Sequence, residues 1–151
     1  MLTRRSFAAA LSAAPLYVPA QAFGANDRIN YACIATGGRG RYLMGKFNQE
    51  PTVCTAICDV YEPYRAQEIA PSAKRYVDYH ELLASHKDLD AVVIASPDHQ
   101  HYPMLKAALA AKKDVYLEKP LSKSLEESQL MIKAVRGSKQ VVQIGMQRRS
   151  A

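Results

Sequence analysis

The sequence predicts an α/β fold with a doubly wound, mainly parallel sheet over residues 28–151. Short apolar runs alternate along the chain with amphipathic or Ala-rich stretches, as strands and crossover helices do in such folds. The run at residues 90–95 is continuously apolar after Asp90, which is typical of a parallel strand buried on both faces. A glycine-rich turn also follows the first run. Together these features predict one domain of six strands with helices between them.

The first elements in order are a strand, a glycine turn, a helix and a second strand. The strands are predicted at residues 29–35 and 52–58, and the helix opens in the turn. Ala35, Gly37 and Gly40 occupy the three glycine positions of a G-x-G-x-x-G dinucleotide-binding turn. There Gly37 lets the backbone approach a pyrophosphate, and Gly40 lets the helix pack closely on the strand. The other predicted members of this turn are Thr36, Gly38 and Arg39.

Two points leave this interpretation open when the turn is taken alone. The methyl group of Ala35 is expected to fit a tight turn only if the residue keeps a negative φ. The turn could also be an ordinary glycine loop. Asp59 favours the dinucleotide, because it follows the second strand 19 residues after Gly40 (59 − 40). A carboxylate at about that distance accepts hydrogen bonds from the adenosine ribose and repels a 2′-phosphate, which favours NAD over NADP. Asp59 could instead cap a turn, and Arg39 or Arg65 could tolerate the extra phosphate.

The second half of the chain continues the alternation. Strands are predicted at residues 75–77, 90–95, 114–117 and 140–144, and helices around 81–84 and at 103–112. Ser124 and Glu127 have the spacing of a capping box, which opens a helix running to about Arg136 with Gly137 as its stop. This order of elements predicts a Rossmann-type domain.

A charged triplet, Glu118-Lys119-Pro120, stands where the fifth predicted strand ends. Ligands bind at the carboxyl edge of strands in open α/β sheets, so we expect these side chains at a ligand site. The proline can fix a turn that orients its neighbours. Lys119 could alternatively be a structural ion-pair lysine.

Residues 1–22 are predicted to be a twin-arginine export signal rather than part of the domain. Arg4-Arg5 precedes an uncharged, Ala-rich stretch, and Ala20-Gln21-Ala22 fits a cleavage site. A membrane anchor is the alternative, but the run is short and weakly apolar for a span of about 20 residues. The predicted location is therefore periplasmic or otherwise extracytoplasmic, with the cofactor loaded in the cytoplasm.

Composition excludes several classes of partner and site. The chain has 151 residues, 48% hydrophobic, and a net charge of +6 that is spread along it, which gives no case for nucleic acid binding. Cys54 and Cys58 lie roughly 13 Å apart along one predicted strand, too far for a disulfide. With Cys33 they are predicted to be small buried hydrophobes. His99 and His101 lack a third ligand group, so no metal is predicted.

These residues together resemble the Gfo/Idh/MocA (glucose–fructose oxidoreductase / inositol dehydrogenase) family. The resemblance covers essentially residues 29–151 and is carried by sequence groups in a fixed order. They are Ala-Thr-Gly-Gly-Arg-Gly at 35–40, Cys-Asp at 58–59, Ser-Pro-Asp-His-Gln-His at 96–101, Glu-Lys-Pro at 118–120 and Gly-Met-Gln-Arg-Arg at 145–149.

The resemblance implies a role for each of these groups. Lys119 would be the catalytic residue, stabilising negative charge on the substrate oxygen, and Glu118 would hold the nicotinamide ribose. The Ser96-Pro97 turn and His101 would lie along the cofactor. Gln147 and Arg148 would face the substrate.

The resemblance also implies a second α/β domain that binds substrate and forms the usual dimer interface. That domain is missing from this sequence, so we expect a fragment or a truncated reading frame, with homo-oligomers only when the missing domain is present. The favoured function is the nucleotide-binding domain of an exported NAD-dependent oxidoreductase acting on a sugar, polyol or glycoside. The alternatives are an NAD-dependent glycosidase that uses transient oxidation and a non-catalytic nucleotide-binding remnant.

Overall fold

The computed structural model describes residues 28–49, 51–65 and 68–147. They contain one six-stranded sheet in the order β3-β2-β1-β4-β5-β6, and every neighbouring pair is parallel. The strands are β1 (Ile29–Ile34), β2 (Thr52–Cys58), β3 (Lys74–Tyr76), β4 (Ala91–Ile94), β5 (Asp114–Glu118) and β6 (Val142–Gly145). The predicted export signal at residues 1–22 lies outside the described residues.

Helices cover both faces of this sheet. They are α1 (Gly38–Phe47), α2 (Glu62–Arg65), α3 (Tyr79–Ser85), α4 (His101–Ala110) and α5 (Leu125–Arg136), with a 3₁₀ turn at Asp98–Gln100 before α4. Successive residues of a strand point to opposite faces. On β1, Ala32 and Ile34 therefore join the core under α3, α4 and α5, while Tyr31 and Cys33 join the core under α1. The predicted doubly wound α/β fold is confirmed.

All six predicted strands are present, and the differences are local. α4 begins at His101, two residues before the predicted start, and α2 was not predicted. β6 begins at Val142 because the N–H of Val141 binds the Asp114 carboxylate, 2.8 Å away. The Ser124 side chain caps α5 by accepting the Glu127 N–H at 3.2 Å. Only this half of the predicted capping box forms, since the Glu127 carboxylate contacts Lys123 instead.

The three cysteines are free and buried in the sheet, as predicted. Burial raises the pKa of the Cys54 thiol to about 11 and that of the Cys58 thiol to about 12. The pKa of Cys33 is also raised, chiefly by burial. Within the part of the chain that the structure describes, no helix has the length and apolar character needed to cross a membrane.

The strand order places a crevice between β1 and β4. From β1 the chain builds outward to β2 and β3, and from β4 it builds outward in the opposite direction to β5 and β6. The connections on the two sides therefore diverge at the carboxyl ends of β1 and β4. Ligands of open α/β sheets bind at such a point.

Candidate functional site

The glycine turn lies at the carboxyl end of β1 and is hydrogen-bonded to the end of β2. Thr36 is fully buried. Its hydroxyl donates to the Tyr64 carbonyl at 2.8 Å, and its N–H donates to the Asp59 carboxylate at 2.8 Å. The N–H of Ala35 binds the Cys58 carbonyl at 2.8 Å. The turn is therefore fixed to the end of β2 and to α2 before any ligand binds.

The three glycines of the turn differ in the space around them. A Cβ at Gly40 would collide with the carbonyl oxygen of Ala35, whereas a Cβ at Gly38 would meet nothing within 4 Å. At Gly37 it would come within 3.3 Å of the Tyr64 ring. Gly40 thus permits the close packing of α1 on the end of β1.

Ala35 corrects one of our expectations. The sequence suggested that alanine would fit here only with a negative φ, but Ala35 has a φ of 67°. A side chain in this left-handed region costs about 1–2 kcal/mol. The hydrogen bond to β2 and the packing of Gly40 against the Ala35 carbonyl hold the backbone in that conformation. The turn therefore keeps its shape without the first glycine, at the expense of local strain.

Asp59 uses both carboxylate oxygens to hold backbone groups. One accepts the Thr36 N–H, and the other accepts the Tyr61 N–H at 2.9 Å. The guanidinium of Arg65 binds the carbonyls of Asp59 and Val60 at 2.7 and 3.0 Å. The turn-capping alternative is therefore correct, and it is compatible with ribose binding because each carboxylate oxygen has a second lone pair.

A cleft of about 780 Å³ opens beside Asp59 and the glycine turn. The far wall is formed by the loop after β4, which includes Ser96 and Pro97. The hydroxyl oxygen of Ser96 is buried and has no hydrogen-bond partner among the described residues. The remaining walls are largely aromatic and apolar, contributed by Val60, Tyr61, Tyr64, Val77, Tyr79 and Met104.

His101 does not reach the surface of this cleft. It is fully buried at the start of α4. Its Nδ1 lies 2.7 Å from the Pro120 carbonyl, and its Nε2 lies 2.9 Å from the Ser96 carbonyl. Because a carbonyl only accepts, the ring N–H donates to one of these two oxygens, and the ring packs between the loop after β4 and the turn after β5. A direct contact with a cofactor, which the resemblance implied, would need one of these nitrogens to leave its carbonyl.

Glu118 ends β5 and is the centre of a polar cluster. Its side chain is only 4% exposed and pairs with Arg39, whose Nη2 lies 2.7 Å from Oε1. The amide nitrogen of Gln147 lies 2.8 and 2.7 Å from the two carboxylate oxygens. Lys119 donates its backbone N–H to the carboxylate at 3.1 Å, while its side chain is exposed beyond it. The Lys119–Pro120 peptide is cis.

Most predicted site residues therefore gather along one edge of the sheet. Gln147 turns toward Glu118, and Arg148 lies outside the described part of the chain. Sequence reasoning missed Tyr116, whose hydroxyl lies against Gly145 and Glu118. Burial raises its pKa, the Glu118 carboxylate raises it further, and Arg39 lowers it. Its signal was the alternation of β5, which places residues 116 and 118 on one face.

The comparisons with known proteins agree with this geometry. An inositol 2-dehydrogenase of Salmonella paratyphi B is 39% identical over 99 residues, which cover 62% of this chain and 29% of that protein. A glycosyl hydrolase family 109 protein of Shewanella amazonensis is 36% identical over 133 residues, 80% of this chain and 28% of its own length. This chain therefore spans less than a third of either relative.

Similarity of fold is equally clear. The crystal structure of myo-inositol 2-dehydrogenase from Lactobacillus plantarum has a TM-score of 0.76 at 24% identity, covering 82% of this chain and 38% of that one. A family model described as "Oxidoreductase family, NAD-binding Rossmann fold" matches residues 29–146, which include the glycine turn, Asp59 and Glu118. With both halves of the site inside that match, the chain belongs to the Gfo/Idh/MocA oxidoreductase family, within its NAD-binding domain.

Proposed function

We propose that this chain is the nucleotide-binding part of an NAD-dependent oxidoreductase that acts on a CH–OH group of a sugar, polyol or glycoside. One observation carries the proposal. The glycine turn, Asp59 and the Glu118-Lys119 pair all lie at the carboxyl edge of a sheet ordered 3-2-1-4-5-6. In doubly wound folds with this strand order, dinucleotides bind at the carboxyl edge of the sheet.

The residues present fit a dinucleotide. The cleft beside Asp59 lies within the size range of small-molecule sites, about 300–1,000 Å³. Within the part of the chain that the structure describes, the buried Ser96 hydroxyl lacks a hydrogen-bond partner, and buried polar groups normally have one. The N–H groups at the start of α1 face no acidic side chain of their own first turn. A bound nucleotide would provide partners for both.

Each part of the chain would hold one part of the dinucleotide. The N–H groups of the glycine turn would bind the pyrophosphate. Asp59 would accept hydrogen bonds from the adenosine ribose, and Glu118 would accept them from the nicotinamide ribose. The nicotinamide, when bound, supplies the group that exchanges hydride with the substrate carbon.

Lys119 would act on the substrate oxygen. Its exposed side chain extends from the turn after β5, and its backbone is held by Glu118 and, through Pro120, by His101. A positioned ammonium group there would donate a hydrogen bond to the substrate oxygen and stabilise the negative charge that develops on it. Lys119 needs a substrate that is held in the correct position, because much of the rate advantage of an enzyme comes from that positioning.

The substrate class rests on the relatives. Inositol is the substrate in the names of several of them, so a polyol or sugar hydroxyl is proposed here. A dehydrogenase forms NADH from NAD in proportion to the product. Cleavage of a glycoside without net NADH would indicate the redox-assisted glycosidase instead, and nucleotide binding without any reaction in the whole protein would indicate a remnant.

NADH is expected to bind the purified chain at least tenfold more tightly than NADPH, because a 2′-phosphate would lie against the Asp59 carboxylate. A tenfold difference corresponds to about 1.4 kcal/mol. Titration followed by the fluorescence of the reduced nicotinamide measures both affinities. Failure to bind either nucleotide would overturn the proposed function.

The Asp59→Ala variant separates the effect of the carboxylate charge on nucleotide preference from the effect of its hydrogen bonds on the loop. The variant loses the bonds to the Thr36 and Tyr61 N–H groups, so NADH binding weakens. The ratio of NADPH to NADH affinity should nevertheless rise, because the repulsion disappears. Asp88→Ala removes an exposed carboxylate far along the chain from Asp59. It should change neither the NADH affinity nor the ratio of NADPH to NADH affinity. An unchanged ratio in Asp59→Ala would contradict the NAD preference.

We also propose export through the twin-arginine route, supported by Arg4-Arg5 and the Ala-rich stretch after it. Replacing both arginines with lysine should keep the protein uncleaved inside the cell, whereas the unmodified protein should be found outside the cytoplasm, cleaved near Ala22. Cell fractionation with N-terminal sequencing distinguishes the two. Recovery of unmodified protein in the cytoplasm with Met1 intact counts against export.

A further inference from the structure

Arg39 lies in the glycine turn of the sequence, but its side chain pairs with a residue outside that turn. The guanidinium reaches Glu118, 79 positions away along the chain. Both Nε and Nη2 lie 2.7 Å from the same carboxylate oxygen, Oε1. The phosphate-binding turn and the turn that carries Lys119 are therefore joined directly by an ion pair.

The Glu118 carboxylate needs this partner. It is nearly buried, and an uncompensated buried charge is strongly unfavourable. Gln147 and the Lys119 N–H contribute dipoles, but they carry no charge to the site. Among the residues that the structure describes, Arg39 is the only cation in an ion pair with Glu118.

Other contacts fix the guanidinium in this position. It lies over the Tyr42 ring, with Cζ 4.9 Å from the ring centroid. It also interacts with the Tyr116 hydroxyl, whose pKa it lowers against the effects of burial and Glu118. The Arg39 side chain is about one third exposed. The guanidinium is therefore held by three neighbours, Glu118, Tyr42 and Tyr116.

We propose that Arg39 is a positioning residue for the nicotinamide end of the site, acting through Glu118, and not a ligand of the pyrophosphate. This inference rests on the proposed function, in which Glu118 holds the nicotinamide ribose. Arg39 pairs with the Glu118 carboxylate and holds it in one orientation. It also fixes the distance between the glycine turn and Lys119.

The two roles make different predictions for two nucleotides. ADP ends at the pyrophosphate and does not extend to Glu118, whereas NADH reaches it. A pyrophosphate ligand would contribute to the binding of both nucleotides. A residue that acts through Glu118 would contribute to NADH alone.

The experiment compares NADH and ADP binding to the full 151-residue chain by calorimetry. Arg39→Met, which keeps much of the side-chain volume, should weaken NADH binding about tenfold, or about 1.4 kcal/mol, and change ADP binding less than twofold. In a Glu118→Gln background the same substitution should change NADH affinity less than twofold, because no buried charge is left unpaired. Arg41→Met replaces an exposed arginine two positions further along α1 and should change the binding affinity of neither nucleotide.

Several outcomes would overturn the inference. Equal loss of ADP and NADH affinity in Arg39→Met would make Arg39 a pyrophosphate ligand. Tenfold loss of NADH affinity in both the Glu118 and the Glu118→Gln backgrounds would show that Arg39 does not act through Glu118. If Arg39→Met does not fold, Arg39→Lys keeps the charge but loses the paired contact and should show the same NADH-selective loss. An unmutated chain that binds ADP but not NADH would refute the inference, and one that binds neither would refute the proposed function first.

Discussion

Gly40→Ala is expected to destabilise the chain and to reduce NADH binding at least tenfold. Two effects oppose each other here. Alanine in place of glycine within a helix stabilises it by about 1 kcal/mol. The new Cβ, however, would collide with the Ala35 carbonyl and lie 3.4 Å from the Cys33 sulfur. Because neither the backbone oxygen nor the buried strand can move cheaply, overpacking of about 1–3 kcal/mol should exceed the gain.

Gly38→Ala is the matched control, since a Cβ there has open space around it. It should leave stability unchanged or raise it, by up to about 1 kcal/mol. Urea unfolding measures the stability of both variants, and NADH titration measures the geometry of the turn. If Gly40→Ala were as stable as Gly38→Ala and bound NADH normally, the close packing of α1 on β1 would not be needed.

His101→Phe is expected to destabilise the chain by about 1–3 kcal/mol and to weaken NADH binding. Phenylalanine roughly fills the space of the imidazole ring but donates no hydrogen bond. Whichever of the Ser96 and Pro120 carbonyls accepts the ring N–H would lose its donor, and an unpaired buried acceptor costs about 1–3 kcal/mol. The loop after β4 and the Lys119 turn would then be free to separate.

His80→Phe provides the comparison, because His80 is exposed on α3 and stacks on Tyr79. That change should alter the free energy of unfolding by less than about 0.5 kcal/mol. Urea unfolding at constant pH measures both variants. A loss below about 0.5 kcal/mol in His101→Phe would mean that the two carbonyls find water or other partners.

The strands and the edge that carries the site follow from local patterns. Continuous apolar runs gave the buried strands, and residues 59 and 118 stand where β2 and β5 end, so that both were assigned to one edge. The short helix α2 also has a local sequence signal. Pro63 stands in its first turn, where proline is favoured because its missing N–H has no helical partner.

The contacts that join distant segments could not be derived in the same way. Nothing local indicates that Arg39 turns toward Glu118 rather than toward a phosphate, because the two residues are 79 positions apart and the chain between them must fold first. The backbone of Ala35 is a second example. Its φ is set by Gly40 and β2, and this tertiary packing overrides the intrinsic preference of alanine.

The buried cysteines have a consequence for redox chemistry. The thiolate is the form that attacks disulfides and is oxidised. With pKa values of about 11 and 12, Cys54 and Cys58 carry very little thiolate at neutral pH, and Cys33 is enclosed in the same sheet. Thiol–disulfide exchange by the folded domain should therefore be slow. We expect its three thiols to stay reduced in a reducing and in an oxidising compartment alike.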